Sequence, residues 1–314
     1  MIARLVPFFP AIALVVVLAT IALFCLAVWL ESMALTNPPG YRQPDPRAFT
    51  YTRTPRSELG LEFEDISFAA PSQEVIRAWL VPAPEDAKRV AAVLVHGRGG
   101  DRAAVMGFMP LLHELGAGVV AIDLRENGLS AGSGRGTTIG MREAEDVAAA
   151  AAEMRRRGYE RVVLIGCSLG ASASILAAAR DASIDGVFAD SPIAYFDRFV
   201  AEIADKRLAK FGVSAPWATA IWGRAVLALT RARLGLNDYE ASADAVGRIA
   251  PRPVLLAYGA QDDVTAPATH GQALAAQAGE GASLWVVEGA GHCEAPFASP
   301  DAYRARILAL LDGG

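Results

Sequence analysis

RVVLIGCSLGASA, residues 161–173, is the stretch whose reading decides the fold. Val162 to Ile165 form the short apolar run of a buried strand, and the small residues Ala171 to Ala179 read as a helix. Between them lies Gly166-Cys167-Ser168-Leu169-Gly170, a G-x-S-x-G pattern. In a strand-to-helix turn this tight the central residue takes strained backbone geometry, and glycines two before and two after it remove side chains that would collide. Ser168 is therefore expected at the exposed tip of the turn. The first N–H groups of the helix lie beneath it, unpaired and partly positive, where an oxyanion can be held.

The pattern needs its context. With 29 glycines in 314 residues, it would arise by chance in roughly one such chain in ten. From Val90 onward, short apolar runs alternate with helical stretches. Ala91 to Val95, Val119 to Leu124, Gly186 to Ala189, Val254 to Tyr258 and Leu284 to Val287 read as strands. Helices are expected near Ala103 to Leu115, Met141 to Arg156, Thr269 to Ala278 and Ala302 to Leu311. Phe63 to Phe68 and Val75 to Val81 read as two antiparallel edge strands joined through Pro71-Ser72. That rhythm predicts an α/β protein with a mostly parallel, doubly wound sheet, whose ligands bind at the carboxyl ends of the strands.

Acyl transfer at a serine needs a base, a carboxylate to orient the base, and donors for the oxyanion. The chain has four histidines. His96 ends a strand, His113 lies within an expected helix and His270 sits near a helix start. His292, in Gly289-Ala290-Gly291-His292 directly after the last strand, has the setting of a mobile base. The carboxylate falls between serine and histidine in Gly259-Ala260-Gln261-Asp262-Asp263, after the strand Val254 to Tyr258. Asp262 is the choice, with Asp263 its neighbour and Asp190 the alternative. His96-Gly97-Arg98-Gly99-Gly100 follows another strand, and the backbone N–H groups of Arg98 and Leu169 are the expected oxyanion donors. His96 is assigned a structural role, holding its loop by a side-chain hydrogen bond.

The ordered set HGRGG, GCSLG, GAQDD and GAGH resembles the α/β-hydrolase superfamily over roughly residues 61–314. Ile122-Asp123-Leu124-Arg125 with Gly128 and Ser130, Glu143 and Asp146 on the next helix, and Asp190-Ser191-Pro192 are further markers. They resemble the membrane-tethered serine hydrolases known as α/β-hydrolase domain or serine-aminopeptidase-like proteins. The resemblance implies Ser168 as nucleophile, His292 as general base and acid, and Asp262 as its orienting partner. Arg125-Glu126-Asn127-Gly128 departs from the R-G-H-G common among relatives. Cys167 stands one position too early to be the nucleophile.

Composition restricts the rest. A hydrophobic fraction of 53% over 314 residues supports one large core. A formal net charge of −5 argues against a polyanion partner such as nucleic acid. No cofactor is implied: there is no Walker lysine and no HExxH, and Gly132-Ser133-Gly134-Arg135-Gly136 lies in a loop without the following helix of a phosphate cradle. Three cysteines are too few for a disulfide framework and fit no zinc spacing, although Cys167 and Cys293 fall beside Ser168 and His292.

Leu5 to Leu30 carries no charge, and from Ala11 it also lacks proline. As a helix, Ala11 to Leu30 would extend roughly 30 Å, the thickness of a bilayer's hydrocarbon core. Residues 1–31 are accordingly expected to be a transmembrane anchor. The rival is a cleaved signal peptide ending at Ser32-Met33-Ala34, disfavoured because secretory apolar cores run to about 7–15 residues. Basic residues are nearly balanced across the span, with a lean toward a cytoplasmic N-terminus and an extracytoplasmic hydrolase domain. Residues 32–60, rich in proline and polar residues from Asn37 to Arg56, are expected to be an extended tether, and residues 61–314 the hydrolase domain.

Between about 192 and 248 the strand-helix alternation stops, and a helical cap is expected. Phe196, Phe199, Val200 and Ile203 recur at helical spacing. Lys206 to Arg233 then holds six basic and no acidic residues, interleaved with Phe211, Trp217, Ile221 and Trp222. Two readings of this segment stand together: a soluble cap packed over the sheet, or one lying on an anionic membrane that admits a lipophilic acyl substrate. The expected activity is hydrolysis of a carboxylic ester or thioester through an acyl-serine. The alternatives are a peptidase or acyltransferase using the same residues, and a non-catalytic membrane-tethered binding protein.

Overall fold

The computed structural model describes residues 8–37, 51–85, 87 and 89–313. Eight strands form one sheet: β1 (Glu64–Ala69), β2 (Val75–Val81), β3 (Val90–Val95), β4 (Gly118–Asp123), β5 (Arg161–Cys167), β6 (Gly186–Asp190), β7 (Val254–Gly259) and β8 (Ala282–Val287). Their order across the sheet is β1-β2-β4-β3-β5-β6-β7-β8. β2 is antiparallel to both β1 and β4, and every other pair is parallel. Every residue of β3, β4 and β6 is buried. Continuous apolar runs such as VAAVLV are what a strand covered on both faces requires.

The helices that matter below are α1 (Phe8–Thr36), α2 (Glu143–Arg156), α3 (Leu169–Arg180), α4 (Phe196–Ala209), α5 (Pro216–Leu234) and α6 (Pro300–Asp312). One face of the sheet packs Ala144, Val147 and Met154 of α2 and Ile175 and Leu176 of α3; the other packs Met109, Leu112, Tyr303, Ile307 and Leu310. After β3 the chain moves to one side to make β4, then returns across β3 to make β5. The strand order thus reverses between β3 and β5, and a doubly wound sheet opens its crevice at such a reversal. The loop His96–Gly100 and Ser168 both leave strands at this point.

The region expected as one helix near Ala103 to Leu115 is broken into Arg102–Val105, a 3₁₀ turn and Met109–Glu114. Gly107 and Pro110 explain the interruption, since glycine adds backbone entropy and proline suits only a first turn. Between β6 and β7 the chain leaves the sheet for the antiparallel pair α4 and α5, where Thr219 Oγ1 donates to Asp205 Oδ1 at 2.8 Å.

The anchor and tether boundaries differ from those expected. α1 continues through Thr36, so residues 32–36 are helix rather than tether. Residues 11–26 of α1 are exposed, whereas Val28, Glu31, Ser32, Leu35 and Thr36 are buried against the domain. Ser32 Oγ and Thr230 Oγ1 lie 2.8 Å apart, Arg207 pairs with Glu31 at 2.5 Å, and Arg233 donates to Ser32 O at 3.2 Å. The reason is local: after Leu30 the sequence ESMALT keeps helical character while offering polar groups that the cap can bind. Most of the remaining expected tether, residues 38–50, lies outside the described residues. At its far end Tyr51 O–H donates to Asp123 Oδ1 at 2.7 Å and its ring meets Trp79 edge-on. Pro55–Leu59 is a helical turn closed by a Thr54–Ser57 capping box. The folded contacts therefore begin before residue 61.

α1 is long and apolar enough to cross a membrane, a property that a signal sequence shares.

Candidate active site

Ser168 adopts φ 54° and ψ −117° between β5 and α3. The flanking glycines are sterically required. A Cβ on Gly166 would stand 2.5 Å from Gly170 O, and one on Gly170 would stand 2.4 Å from the carbonyl oxygens of Val95 and His96. The turn therefore folds tightly only with glycine at both places. Ser168 N–H donates to Asp190 O at 2.8 Å, which extends the β5–β6 pairing one residue beyond the strand.

Asp262 leaves the end of β7 and His292 the end of β8. His292 Nδ1 stands 2.9 Å from Asp262 Oδ2. The carboxylate also accepts from the Val264 and Thr265 amides, each at 2.8 Å, and from Thr265 Oγ1 at 2.9 Å. Burial pushes the Asp262 carboxyl up, but the His292 ring and these backbone donors outweigh it and hold its pKa down at about 2. Asp262 is thus a carboxylate throughout the neutral range. With Nδ1 committed to it, the imidazole presents Nε2 as its free nitrogen.

Asp190 does not take this role. It is buried, its Oδ1 accepts from Ser191 Oγ at 3.1 Å, and burial pushes its pKa up to about 7 despite that bond and the nearby His292. Asp263 is exposed.

Ser168 and His292 line one cavity of about 350 Å3, together with Gly97, Arg98 and Leu169. Its apolar wall comes from Leu35, Ile139, Ile193, Phe196, Phe199 and Val264. Leu169 opens α3, so its N–H has no acceptor within the helix. Arg98 extends from the His96–Gly100 loop, and its side-chain Nη1 donates to Ala34 O of α1 at 3.3 Å. His96 is buried. Its Nδ1 lies 2.8 Å from Gly97 O, and its Nε2 accepts from Leu124 N–H at 3.0 Å, so it joins the β3 loop to the end of β4 as a neutral ring. Burial, opposed by the Gly97 bond and by carboxylates, pulls its pKa down. This is the structural role assigned to it from the sequence.

Three of the family-like markers are buried and paired. Arg125 clamps Asp146 through Nε at 3.0 Å and Nη2 at 2.7 Å. Glu143 accepts from Thr137 Oγ1, Thr138 N–H, Thr138 Oγ1 and Gly140 N–H at 2.6–3.0 Å. These bonds fix the segment that carries Ile139 into the cavity wall.

Three contributors are not visible in the sequence reading. Thr265 buttresses Asp262, and an Asp followed three residues later by Thr is a turn signature that would have flagged it. Leu35 enters from α1, which no local pattern announces. Cys167 and Cys293 form a disulfide with a Cα separation of 6.1 Å. Three cysteines make no framework, yet they make one bridge. The signal was its placement, one cysteine just before Ser168 and the other just after His292. Among the described residues no three His, Cys, Asp or Glu side chains gather as a metal-binding group.

A family model described as alpha/beta hydrolase family matches residues 92–306, and the chain belongs to that family. Family and site together support hydrolase activity. An esterase structure from Pyrococcus furiosus is 21% identical, with TM-score 0.67, over 87% of this chain and all of that one. A membrane phospholipase A, described as a bacterial virulence factor, is 20% identical with TM-score 0.57, over 100% of this chain and 99% of its own. A proline iminopeptidase of Mycobacterium smegmatis is 16% identical with TM-score 0.56, over 79% of this chain and 98% of that one. At these identities the likeness is one of fold. No curated protein matches the chain by sequence.

Proposed function

We propose that the protein is a membrane-anchored serine hydrolase that cleaves carboxylic ester or thioester bonds of lipophilic acyl substrates through an acyl-serine. The observation that carries this reading is that His292, paired with Asp262, lines one largely apolar cavity together with a strained Ser168. In this mechanism His292 Nε2 takes the Ser168 proton as Oγ attacks the acyl carbonyl, and Asp262 stabilises the imidazolium that forms. The tetrahedral oxyanion accepts hydrogen bonds from the Arg98 and Leu169 amides. His292 then protonates the leaving group, and a water, deprotonated by His292, releases the acid from Ser168.

The lipophilic preference is supported by the cap. α1 and α5 run in parallel, since Phe24 meets Trp222 edge-on at 5.7 Å and Ser32 meets Thr230 eight residues further along both helices. Trp217 and Ile221, 74% and 53% exposed, therefore lie alongside the apolar part of α1, and Phe211 at the α4–α5 turn is 83% exposed. Exposed Lys206, Lys210 and Arg224 accompany them. Aromatic and basic groups of this kind suit an anionic bilayer surface. A disulfide persists in oxidising compartments, which favours the extracytoplasmic side for the domain.

A fluorophosphonate probe tests the chemistry. The wild type should label and Ser168→Ala should not, and competition by a panel of short and long acyl esters should rank the long chains first. Labelling that survives Ser168→Ala would remove this reading.

A further inference from the structure

The disulfide lies within the catalytic apparatus rather than beside it. Cys167 is the last residue of β5 and precedes Ser168, while Cys293 follows His292, and both cysteines line the Ser168 cavity. The segment that delivers His292 leaves β8 at Val287 and runs through Gly289, with φ 76°, and Gly291. Two glycines in five residues widen the conformations open to that segment, which in the fold is held where Ala290 O accepts from Gln261 N–H at 2.9 Å and Gly291 N–H donates to Glu294 Oε2 at 2.8 Å. Past His292 the chain is held by Cys293 N–H, which donates to Ser191 Oγ at 3.1 Å, and by the covalent bridge to the nucleophile turn. The Asp262 bond orients the imidazole from the β7 side. The bridge ties the residue after His292 to the residue before Ser168, on the β5 side.

We propose that the Cys167–Cys293 disulfide is a positioning element of the active site, holding His292 in register with Ser168, so that catalysis depends on the oxidised form. This rests on the reading of Ser168 as nucleophile and His292 as base. Both sulfurs belong to partly exposed residues facing the cavity, within reach of a small dithiol. Two-electron reduction by dithiothreitol breaks the S–S bond and leaves two cysteine thiols, while the reductant closes to its cyclic disulfide. His292 then keeps its Asp262 partner but loses its fixed spacing to Ser168.

The test uses the full chain in detergent or nanodiscs. The second-order rate of fluorophosphonate labelling and the steady-state kinetics on a soluble ester are followed before reduction, after reduction and after reoxidation. Thiol titration confirms two new thiols, and melting curves confirm that the protein stays folded at the assay temperature. Reduction should lower the labelling rate and kcat at least 10-fold with KM within about 2-fold, and reoxidation should restore both. The double variant C167S/C293S should label as slowly as the reduced wild type and ignore reductant. Labelling within 2-fold of the oxidised rate, with two thiols titrated, would overturn the positioning role alone. So would a loss that appears only where melting has begun. An oxidised wild type that never labels would instead overturn the functional reading, and this inference with it.

Discussion

His292 Nδ1 stands 2.9 Å from Asp262 Oδ2, and that carboxylate is saturated with donors from Val264 and Thr265 on its other sides. A carboxylate so fixed selects one tautomer of the ring and one orientation. Asp262→Asn keeps the shape and removes the charge, so kcat should fall by roughly 10³–10⁴ while KM changes little. Asp263→Asn, on an exposed neighbour, should stay within about 2-fold. Steady-state kinetics on one chromogenic ester decides it, and comparable losses at both positions would mean that the pairing is not functional.

Asp190 gives a stability signature with a definite sign. Its carboxyl titrates near 7 in the folded protein against 3.8 for the free group. An acid with a raised pKa destabilises the fold when ionised: the penalty is absent below about pH 4, grows between pH 4 and 7, and is complete above pH 7. Asp190→Asn removes it. The variant's unfolding free energy relative to wild type should therefore rise by about 2–3 kcal/mol from pH 5 to pH 8, at about 1.4 kcal/mol per pH unit up to pH 7. Urea unfolding at the two pH values measures this, and a difference that does not move with pH would refute the assignment.

Leu35 should govern acyl-chain preference, because it is the contribution of α1 to the cavity wall. Leu35→Trp fills space that a long chain needs. We expect kcat/KM on long-chain esters to drop about 10-fold or more while acetate esters stay within about 3-fold, in line with the worth of a few methylene contacts. Equal losses on both would show that residue 35 supports the fold without shaping specificity.

The sheet and the turn at Ser168 were legible in the sequence because their causes are local. A buried parallel strand must be apolar along its buried length, as VAAVLV (90–95) and VVLI (162–165) are, and glycines at 166 and 170 answer clashes with residues only a few ångströms away. Asp262 and His292 were legible as residues following strands, since a doubly wound sheet sends such loops to one edge. Thr265, Leu35 and the Cys167–Cys293 bridge are not legible in the sequence pattern. Leu35 and the bridge join parts of the chain far apart in sequence, and spacing carries no record of such contacts, whereas Thr265 is marked only by the short turn it shares with Asp262. The end of α1 lies beyond the expected boundary for a related reason. Polar residues after Leu30 look like the start of a tether, whereas Glu31 and Ser32 are polar because Arg207 and Thr230 are waiting for them.

That same helix end joins two environments in one rigid rod. On the proposed reading, with residues 11–30 in lipid, a tilt of the rod would also displace the cavity wall that Leu35 forms. Membranes of different thickness impose different tilts on a span of fixed length. The surrounding lipid would thus become an input to how a substrate fits.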